Sequence, residues 1–418
     1  MFKLSVPIPS LHRRNAVRVA IYSAFLFSVV ASSASYAKKE IVWGGEVRPR
    51  YEFRDPFANN YDSFTSMRVR TQMVASLDSD VDLMIQLQDV RLWGEEKNTL
   101  TDYSADKFDL HQGYVHLKKL GDGDHSLKIG RQMVALGGQR LIGAVEWTQQ
   151  GRVFDGLQLL LAPSWGQVNL TAIQVAESDS TSAQFADDAY LTGAYATLDQ
   201  LPSGSLDLYA LYNKDGAKDT DQVTMGVRLA GKKMAYAYRF EGSFQTGQRS
   251  AQDVSAFMFG GRIGGSLGGL DLTLWYDYLS GDDDLADDKT KVFDTLFATN
   301  HKYYGYADLF LNIPVHTGGL GLQDLALKVA LPLSDQVSLG VHGHSFLTAQ
   351  KGDLESSHLG EEVDLTLTYK YRPDFTVVAG VSRVIADDSM TSVTRYKNSI
   401  EDWNGDMTFA YLMTNTTF

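Results

Sequence analysis

Between residues 46 and 54 every second side chain is charged: Glu46, Arg48, Arg50, Glu52 and Arg54, with Val47, Pro49, Tyr51 and Phe53 between them. Only a β-strand, whose side chains alternate at period two, sends these two sets to opposite faces. The pattern recurs. Met67, Val69, Thr71 and Met73 oppose Arg68, Arg70 and Gln72, and Val81, Leu83, Ile85 and Leu87 oppose Asp82, Met84, Gln86 and Gln88. Met234, Tyr236, Tyr238, Phe240 and Phe244 oppose Arg239, Glu241, Ser243 and Gln245. Leu270, Leu272, Leu274, Tyr276 and Tyr278 oppose Asp271, Thr273 and Asp277, and Val363, Leu365, Leu367, Tyr369 and Tyr371 oppose Glu362, Asp364, Thr366, Lys370 and Arg372. Each run is about ten residues, the length of a tilted strand that crosses a bilayer.

Two details favour lipid over a soluble core. Apolar faces end in aromatics, as at Tyr276 and Tyr278 or Tyr369 and Tyr371, which suits interfacial girdles. The opposite faces hold too many charges to bury in a dry interior. The pattern predicts an all-β fold, a transmembrane antiparallel up-and-down β-barrel. Met67, Val69, Ile85, Leu87, Tyr238, Leu272 and Leu365 would face lipid, and Arg50, Arg68, Arg70, Gln86, Arg239 and Asp364 the lumen. A soluble β-helix or sandwich is the competing reading.

The N-terminus predicts a secretory signal peptide over residues 1–37. Lys3, Arg13, Arg14 and Arg18 form a basic region, an apolar run follows over residues 19–31, and Ser35-Tyr36-Ala37 is a small-x-small cleavage site. About 13 apolar residues are too few for a membrane anchor. The barrel then occupies residues 38–418, and loss of four basic residues takes the formal charge from −13 to −17. There is no cysteine, so disulfides and thiolate chemistry are excluded. No apolar run in residues 38–418 reaches the roughly 18 residues of a transmembrane helix. An alternating strand through Met407, Phe409, Tyr411 and Met413 leads to Phe418, an ending that resembles the signal read by the barrel-assembly machinery.

Short polar links at residues 77–81, 121–124 and 372–374 read as tight periplasmic turns, and residues 91–107, 177–188, 281–300 and 387–402 as extracellular loops. At about 20 residues per strand and connection, the chain accommodates roughly 16 to 19 strands. The glycine-rich stretch 260–269 reads as a bent or closely packed strand.

Three blocks carry a family resemblance. Gly130-Arg131-Gln132 precedes Gly137-Gly138-Gln139-Arg140 and Gly143, then Glu146-Trp147 and Gly151-Arg152-Val153-Phe154-Asp155-Gly156. The second block runs from Phe293-Asp294 through Phe297, Asn300-His301-Lys302 and Tyr304-Gly305, and the third is Leu359-Gly360-Glu361-Glu362-Val363-Asp364. Together they resemble the alginate export family. The resemblance implies an outer-membrane barrel of about 18 strands with an arginine-lined pore for an anionic polysaccharide. Members also lie outside alginate pathways, and this chain looks shorter than the alginate exporter.

The arginines agree with that expectation. Of sixteen in residues 38–418, nine lie before residue 153: Arg48, Arg50, Arg54, Arg68, Arg70, Arg91, Arg131, Arg140 and Arg152. Guanidinium forks bind carboxylates bidentately, and a charged ring in a narrow pore selects ion sign. Arg48, Arg50, Arg54, Arg68, Arg70, Arg131, Arg140, Arg152 and Arg239 are the expected pore-lining residues. The alternative is that they pair with Glu46, Glu52, Asp55 and Asp82 across strands and brace the wall. The glycine-punctuated stretch around Gln132, Gln139, Glu146, Trp147 and Gln150 would be a strand followed by a loop folding towards the pore, or a wall brace.

Other constellations are weaker. Asp282, Asp283, Asp284, Asp287 and Asp288 read as a solvated loop tip before a calcium site. Residues 401–406 are similarly ambiguous. His342 and His344 make an incomplete zinc pair without an evident third ligand. P-loop, GxGxxG, HExxH and GxSxG motifs are missing, so no catalytic site, cofactor or metal is expected. The sequence therefore predicts a monomeric, non-enzymatic channel in the outer membrane of a Gram-negative cell. It would sit among lipid and lipopolysaccharide, be inserted by the barrel-assembly machinery and bind no nucleic acid. Its solute would be an anionic polysaccharide or a related anionic solute. The alternatives are an uptake porin for small organic acids and an outer-membrane hydrolase.

Overall fold

The computed structural model describes residues 40–55, 61–95, 108–177, 188–284, 286–397 and 403–418. The expected signal peptide, Glu401 and Asp402 lie outside these residues. Eighteen antiparallel strands form the wall: β1 Glu40–Asp55, β2 Asp62–Ser76, β3 Val81–Leu92, β4 Phe108–Leu117, β5 Ser126–Gln132, β6 Phe154–Leu161, β7 Gly166–Ala176, β8 Ala189–Leu201, β9 Gly204–Asp215, β10 Thr220–Lys233, β11 Tyr236–Arg249, β12 Gln252–Leu267, β13 Leu270–Leu279, β14 Leu322–Pro332, β15 Val337–Leu347, β16 His358–Arg372, β17 Phe375–Ala386 and β18 Met407–Thr417. Each pairs with its sequence neighbours, and β18 pairs with β1 from Glu46↔Thr417 to Asp55↔Thr408, closing the cylinder. Closure leaves no edge strand. A two-residue ladder, Lys289–Thr290 beside Asp253 and Val254, is an appendage to the wall.

Period two sorts the faces as the alternation predicts. Arg48, Arg50, Ser66, Arg68, Arg70, Gln86, Gln88, Glu241, Asp277 and Asp364 are buried inside. Tyr51, Phe240, Phe257, Ile263, Leu274, Leu327 and Leu365 project outward, with Leu274 58% exposed. A continuous apolar belt of this extent would aggregate in water and is satisfied by hydrocarbon. Met234, counted above with an apolar face, instead sits at φ 55° in the turn between β10 and β11.

The C-terminal closure needs one glycine. Phe418 exchanges backbone hydrogen bonds with Gly45, and a Cβ at Gly45 would lie 2.3 Å from the Phe418 ring and 2.6 Å from the Arg70 carbonyl.

The interior is not uniformly ionic. Residues 133–153, between β5 and β6, and residues 280–321, between β13 and β14, fold into the barrel. The stretch 281–300, expected as an extracellular loop, belongs to this second inner loop. Val134, Leu136, Leu141, Ile142, Phe293, Leu309, Phe310 and Ile313 from the loops form an apolar core with Leu191, Leu211, Trp275, Leu279 and Phe346 from the wall. The alternating apolar face of β18 joins it, since Met407, Phe409 and Tyr411 are buried inside while Leu412 is 52% exposed. Here apolar residues face the lumen because a loop covers them there.

Candidate pore site

The first inner loop is a beam across the lumen, fixed at both ends by guanidinium chemistry. At the β1–β2 end the arginines stand on the wall. Arg48 donates to the carbonyls of Glu146 (2.7 Å) and Thr148 (2.7 Å) and to Gln149 Oε1 (3.1 Å). Arg50 donates to the Trp147 carbonyl at 2.5 Å, and its guanidinium lies 4.2 Å from the indole centroid. Arg68 reaches Glu46 (2.8 Å) and Glu146 (3.2 Å), and Arg70 reaches Glu146 (2.9 Å), Gln88 (2.7 Å) and the Gln150 carbonyl (3.2 Å). A bulge in β4 beside Gln86 and Leu87 turns His111 inward onto Arg70. Burial alone would raise the pKa of Glu146, but Arg68, Arg70 and Arg48 more than reverse this, and the carboxyl is held below its usual range.

At the far end the polarity is inverted, with the arginine on the loop. Arg140 donates to Asp277 of β13 at 2.7 Å, approaches Glu241 of β11 at 3.4 Å and donates to Tyr304 Oη at 3.2 Å. Its guanidinium lies 4.1 Å from the Tyr303 ring centroid. Gly260 makes room, because a Cβ there would stand 2.5 Å from Asp277 Oδ1 and 3.1 Å from Arg140 Nη2.

The second inner loop locks onto the beam. Gly143 donates to the Phe297 carbonyl (2.9 Å), Phe297 to that of Leu141 (2.8 Å) and Thr299 to that of Gln139 (3.0 Å). Arg152 donates to the carbonyls of Phe297 and Ala298, and burial lowers its pKa. Trp147 stacks on His301 at 4.2 Å and meets Tyr411 edge-on at 4.9 Å. The three blocks quoted from the sequence thus meet in space. The third joins through Glu362, which accepts the Ala307 amide at 2.7 Å.

Two chambers flank the beam. The one towards the long loops has a volume of about 780 Å³ and is lined by Arg50, Arg54, Arg131, Arg395, Trp147, Glu52, Asp109 and Asp308, among others. Arg54 pairs with Glu52 at 2.7 Å, and Arg131 with Asp155 at 2.8 Å. The chamber towards the short turns has about 610 Å³ and carries Lys232, Arg239, Arg262 and Lys328 against the single carboxylate of Asp271. These cations are differently placed from those of β1 and β2. Arg239 Nε and Nη1 have no hydrogen-bond partner. Arg262 and Lys328 lie 4.8 Å and 4.5 Å from the Trp275 ring centroid, and neither makes an ion pair among the described residues. Lys302, on the second inner loop, senses them, since burial and then Arg239, Arg262 and Arg228 lower its pKa.

Arg262 and Lys328 were not singled out in the sequence, and Lys302 stood there only within the second family block. Their one signal is parity: Arg262 opposes Trp275 directly across β12 and β13, inside the same face as Asp277. Of the remaining sequence candidates, Asp282 is buried and accepts the Lys291 amide at 3.2 Å, while Asp283 pairs with Lys291. The partners expected of the arginines divide. Glu46 and Glu52 take that role, whereas Asp82 binds Lys118 at 2.9 Å.

Comparison with known proteins agrees with this architecture. No curated protein matches the chain in sequence. Among solved structures it is similar to Pseudomonas aeruginosa OccK3 (OpdO), with 12% identity and a TM-score of 0.62 over 91% of this chain and 96% of that one. Acinetobacter baumannii OccAB4 gives 13% and 0.61 over 92% and 99%. Pseudomonas aeruginosa OccD3 (OpdP) gives 12% and 0.59 over 90% and 91%. At this identity the likeness is one of fold, that of outer-membrane porins. The family described as alginate export matches residues 40–394. The chain belongs to the alginate export family and is a porin-type β-barrel channel of the outer membrane.

Proposed function

We propose that the channel passes carboxylate-bearing solutes passively and prefers anions. The observation that carries this is the chamber of Arg239, Arg262, Lys328 and Lys232, where four cations face one carboxylate and Arg239 keeps unpartnered donors. Cations in a confined lumen lower the cost of dehydrating a carboxylate, and their field outweighs the acids of the loops, which salt screens within about 8 Å. Arg54 and Arg395 line the other chamber and extend the track, so an anion would meet guanidinium groups on both sides of the beam, while Arg50 is engaged with Glu52 and the Trp147 carbonyl. Arg48, Arg68, Arg70, Arg140 and Arg152 hold the inner loops and set the bore.

The family supports an alginate-like polysaccharide as the solute. The beam favours small organic acids or short uronates, because it is tied to both walls and to the second inner loop. The barrel functions as a monomer within lipid and lipopolysaccharide after insertion by the barrel-assembly machinery.

Reversal potentials in planar bilayers under a potassium chloride gradient test the reading. Wild type should be anion-selective. The double variant Arg239→Gln/Arg262→Gln should lose several-fold in its anion-to-cation permeability ratio while folding normally, since lumen positions tolerate polar residues. A cation-selective wild type, or an unchanged ratio in the variant, would reject it. Liposome swelling in glucuronate against oligouronates of increasing length then separates small acids from chains.

A further inference from the structure

A second cluster lies on the wall beyond the beam, on β14, β15 and β16. His342 and His344 project inward from β15, and Asp364 is the cross-strand partner of His342 on β16. One ligand atom from each of the three comes within 4.8 Å of the others. Asp364 thus supplies the third ligand that the sequence did not reveal, because it lies one strand away.

The polar atoms here are buried and unsatisfied. His342 Nδ1, His344 Nε2 and both carboxylate oxygens of Asp364 lack a hydrogen-bond partner, and Asp364 is 1% exposed. A buried carboxylate without donors costs several kcal/mol unless something neutralises it. The imidazole beside it is not free to rotate. His344 Nδ1 lies 2.9 Å and 3.1 Å from the two oxygens of fully buried Asp324, which fixes the ring with Nε2 directed at Asp364, 4.0 Å away. A carboxylate behind a histidine, with the opposite nitrogen left open, is the arrangement that orients a metal-ligating imidazole. Glu362 adds a third buried carboxylate, whose Oε2 is unpartnered, and the cation across the ladder from His342 is Lys328.

We infer that His342, His344 and Asp364 bind a zinc ion in the lumen wall. Two imidazoles and one carboxylate form a donor set for zinc, with the fourth position left for water. Ligands about 2.0–2.1 Å from zinc stand roughly 3.4 Å apart in a tetrahedron, so binding draws the three side chains inward by about 1 Å. His342 can make that move because it is only half-buried and borders the lumen, which is also the route by which the ion arrives. Tyr306 of the second inner loop rests on its ring at 5.3 Å, so the ion would stiffen the loop's seat as well.

Titration of tag-free, detergent-purified full-length protein with zinc chloride at neutral pH, read by calorimetry, should give one ion per barrel. Asp364→Asn and His344→Gln should each weaken binding at least tenfold. Asp324→Asn, which removes only the orienting carboxylate, should cost roughly 10- to 100-fold. His116→Gln, on β4, should bind as wild type does. X-ray absorption of the wild-type zinc complex is independent of how the variants fold and should show two imidazoles in the zinc shell. No uptake at equimolar zinc, undiminished affinity in Asp364→Asn, or a shell without imidazole would overturn the assignment.

Discussion

The wall at β1 and β2 and the wall at β11 to β14 are both rich in inward-facing cations, yet their chemistry is opposite. Arg48, Arg50, Arg68 and Arg70 direct their donors at the carbonyls of residues 146–150 and at Glu46, Glu52 and Glu146. A guanidinium bound in this way offers nothing to a passing carboxylate unless the loop lets go, which would strand buried carbonyls. Arg262 rests on an indole face and Arg239 leaves Nε and Nη1 without a hydrogen-bond partner, and neither makes an ion pair among the described residues; Lys328 lies over the same indole, with Asp324, Asp364 and Asp277 near it. A cation–π contact leaves N–H donors available to a solute. The density of arginine along a chain therefore locates structure as readily as function. What distinguishes the two is how many donors the fold already uses.

The comparison breaks most visibly at Arg68, which is 2% exposed and bridges the wall to the beam. Arg68→Ala takes a donor from Glu46 and from Glu146, which is 43% exposed and keeps Arg70, and with the lost bonds to the loop carbonyls should cost about 2–3 kcal/mol. The beam should loosen, so single-channel conductance should rise as the folded barrel becomes less heat-stable on semi-native gels. If both properties matched wild type, the first wall would not be a strap.

The far anchor gives a smaller effect. A side chain at Gly260 meets Asp277 and Arg140, neither of which has room to retreat. Gly260→Val should destabilise by about 1–3 kcal/mol through overpacking, with conductance shifted in the same direction as in Arg68→Ala. At Gly340, on β15, an added Cβ would meet nothing closer than 3.8 Å. Gly340→Ala should leave conductance as in wild type, and an equal shift in the Gly260 and Gly340 variants would mean that Arg140 does not hold the beam.

The barrel was legible from residues 46–54 and their counterparts, because period two and bilayer thickness leave few other solutions. The inward face of β18 was less so. Met407, Phe409 and Tyr411 carry the same alternation as a lipid-facing strand, and groups distant in sequence, Trp147 and Arg54, identify their side as the lumen. The blocks around Arg140, Phe297 and Glu362 were visible as motifs, but their meeting depends on two loops folding inward, which local pattern does not encode. Arg262 and Lys328 stayed hidden for a similar reason. Each is one cation on an ordinary strand, and the indole face that both share is supplied by Trp275 of another strand.

The smallest effect is one of pH, and it separates the two inner loops. The first is held by arginines, which keep their charge across the accessible range. The second contains His316, whose Nδ1 accepts the amides of Leu311 (3.0 Å) and Asn312 (3.1 Å), closing the turn that precedes Ile313–His316. An acceptor at Nδ1 requires the neutral ring. Burial, with Arg395 adding to it, lowers the pKa of His316 to about 4, against about 6.5 in an unfolded chain. Between these values the unfolded loop takes up a proton that the folded loop does not. The stabilisation is therefore full above about pH 6.5, declines as the pH falls through this window and is gone below about 4. Hydrogen exchange of peptides spanning residues 309–320, corrected for intrinsic rates, should show protection falling from pH 7 to pH 5, while residues 133–153 hold steady. In His316→Asn the pH dependence of the second loop should disappear. An identical slope in that variant, or a matching slope in the first loop, would show that the difference between the loops does not arise from this imidazole.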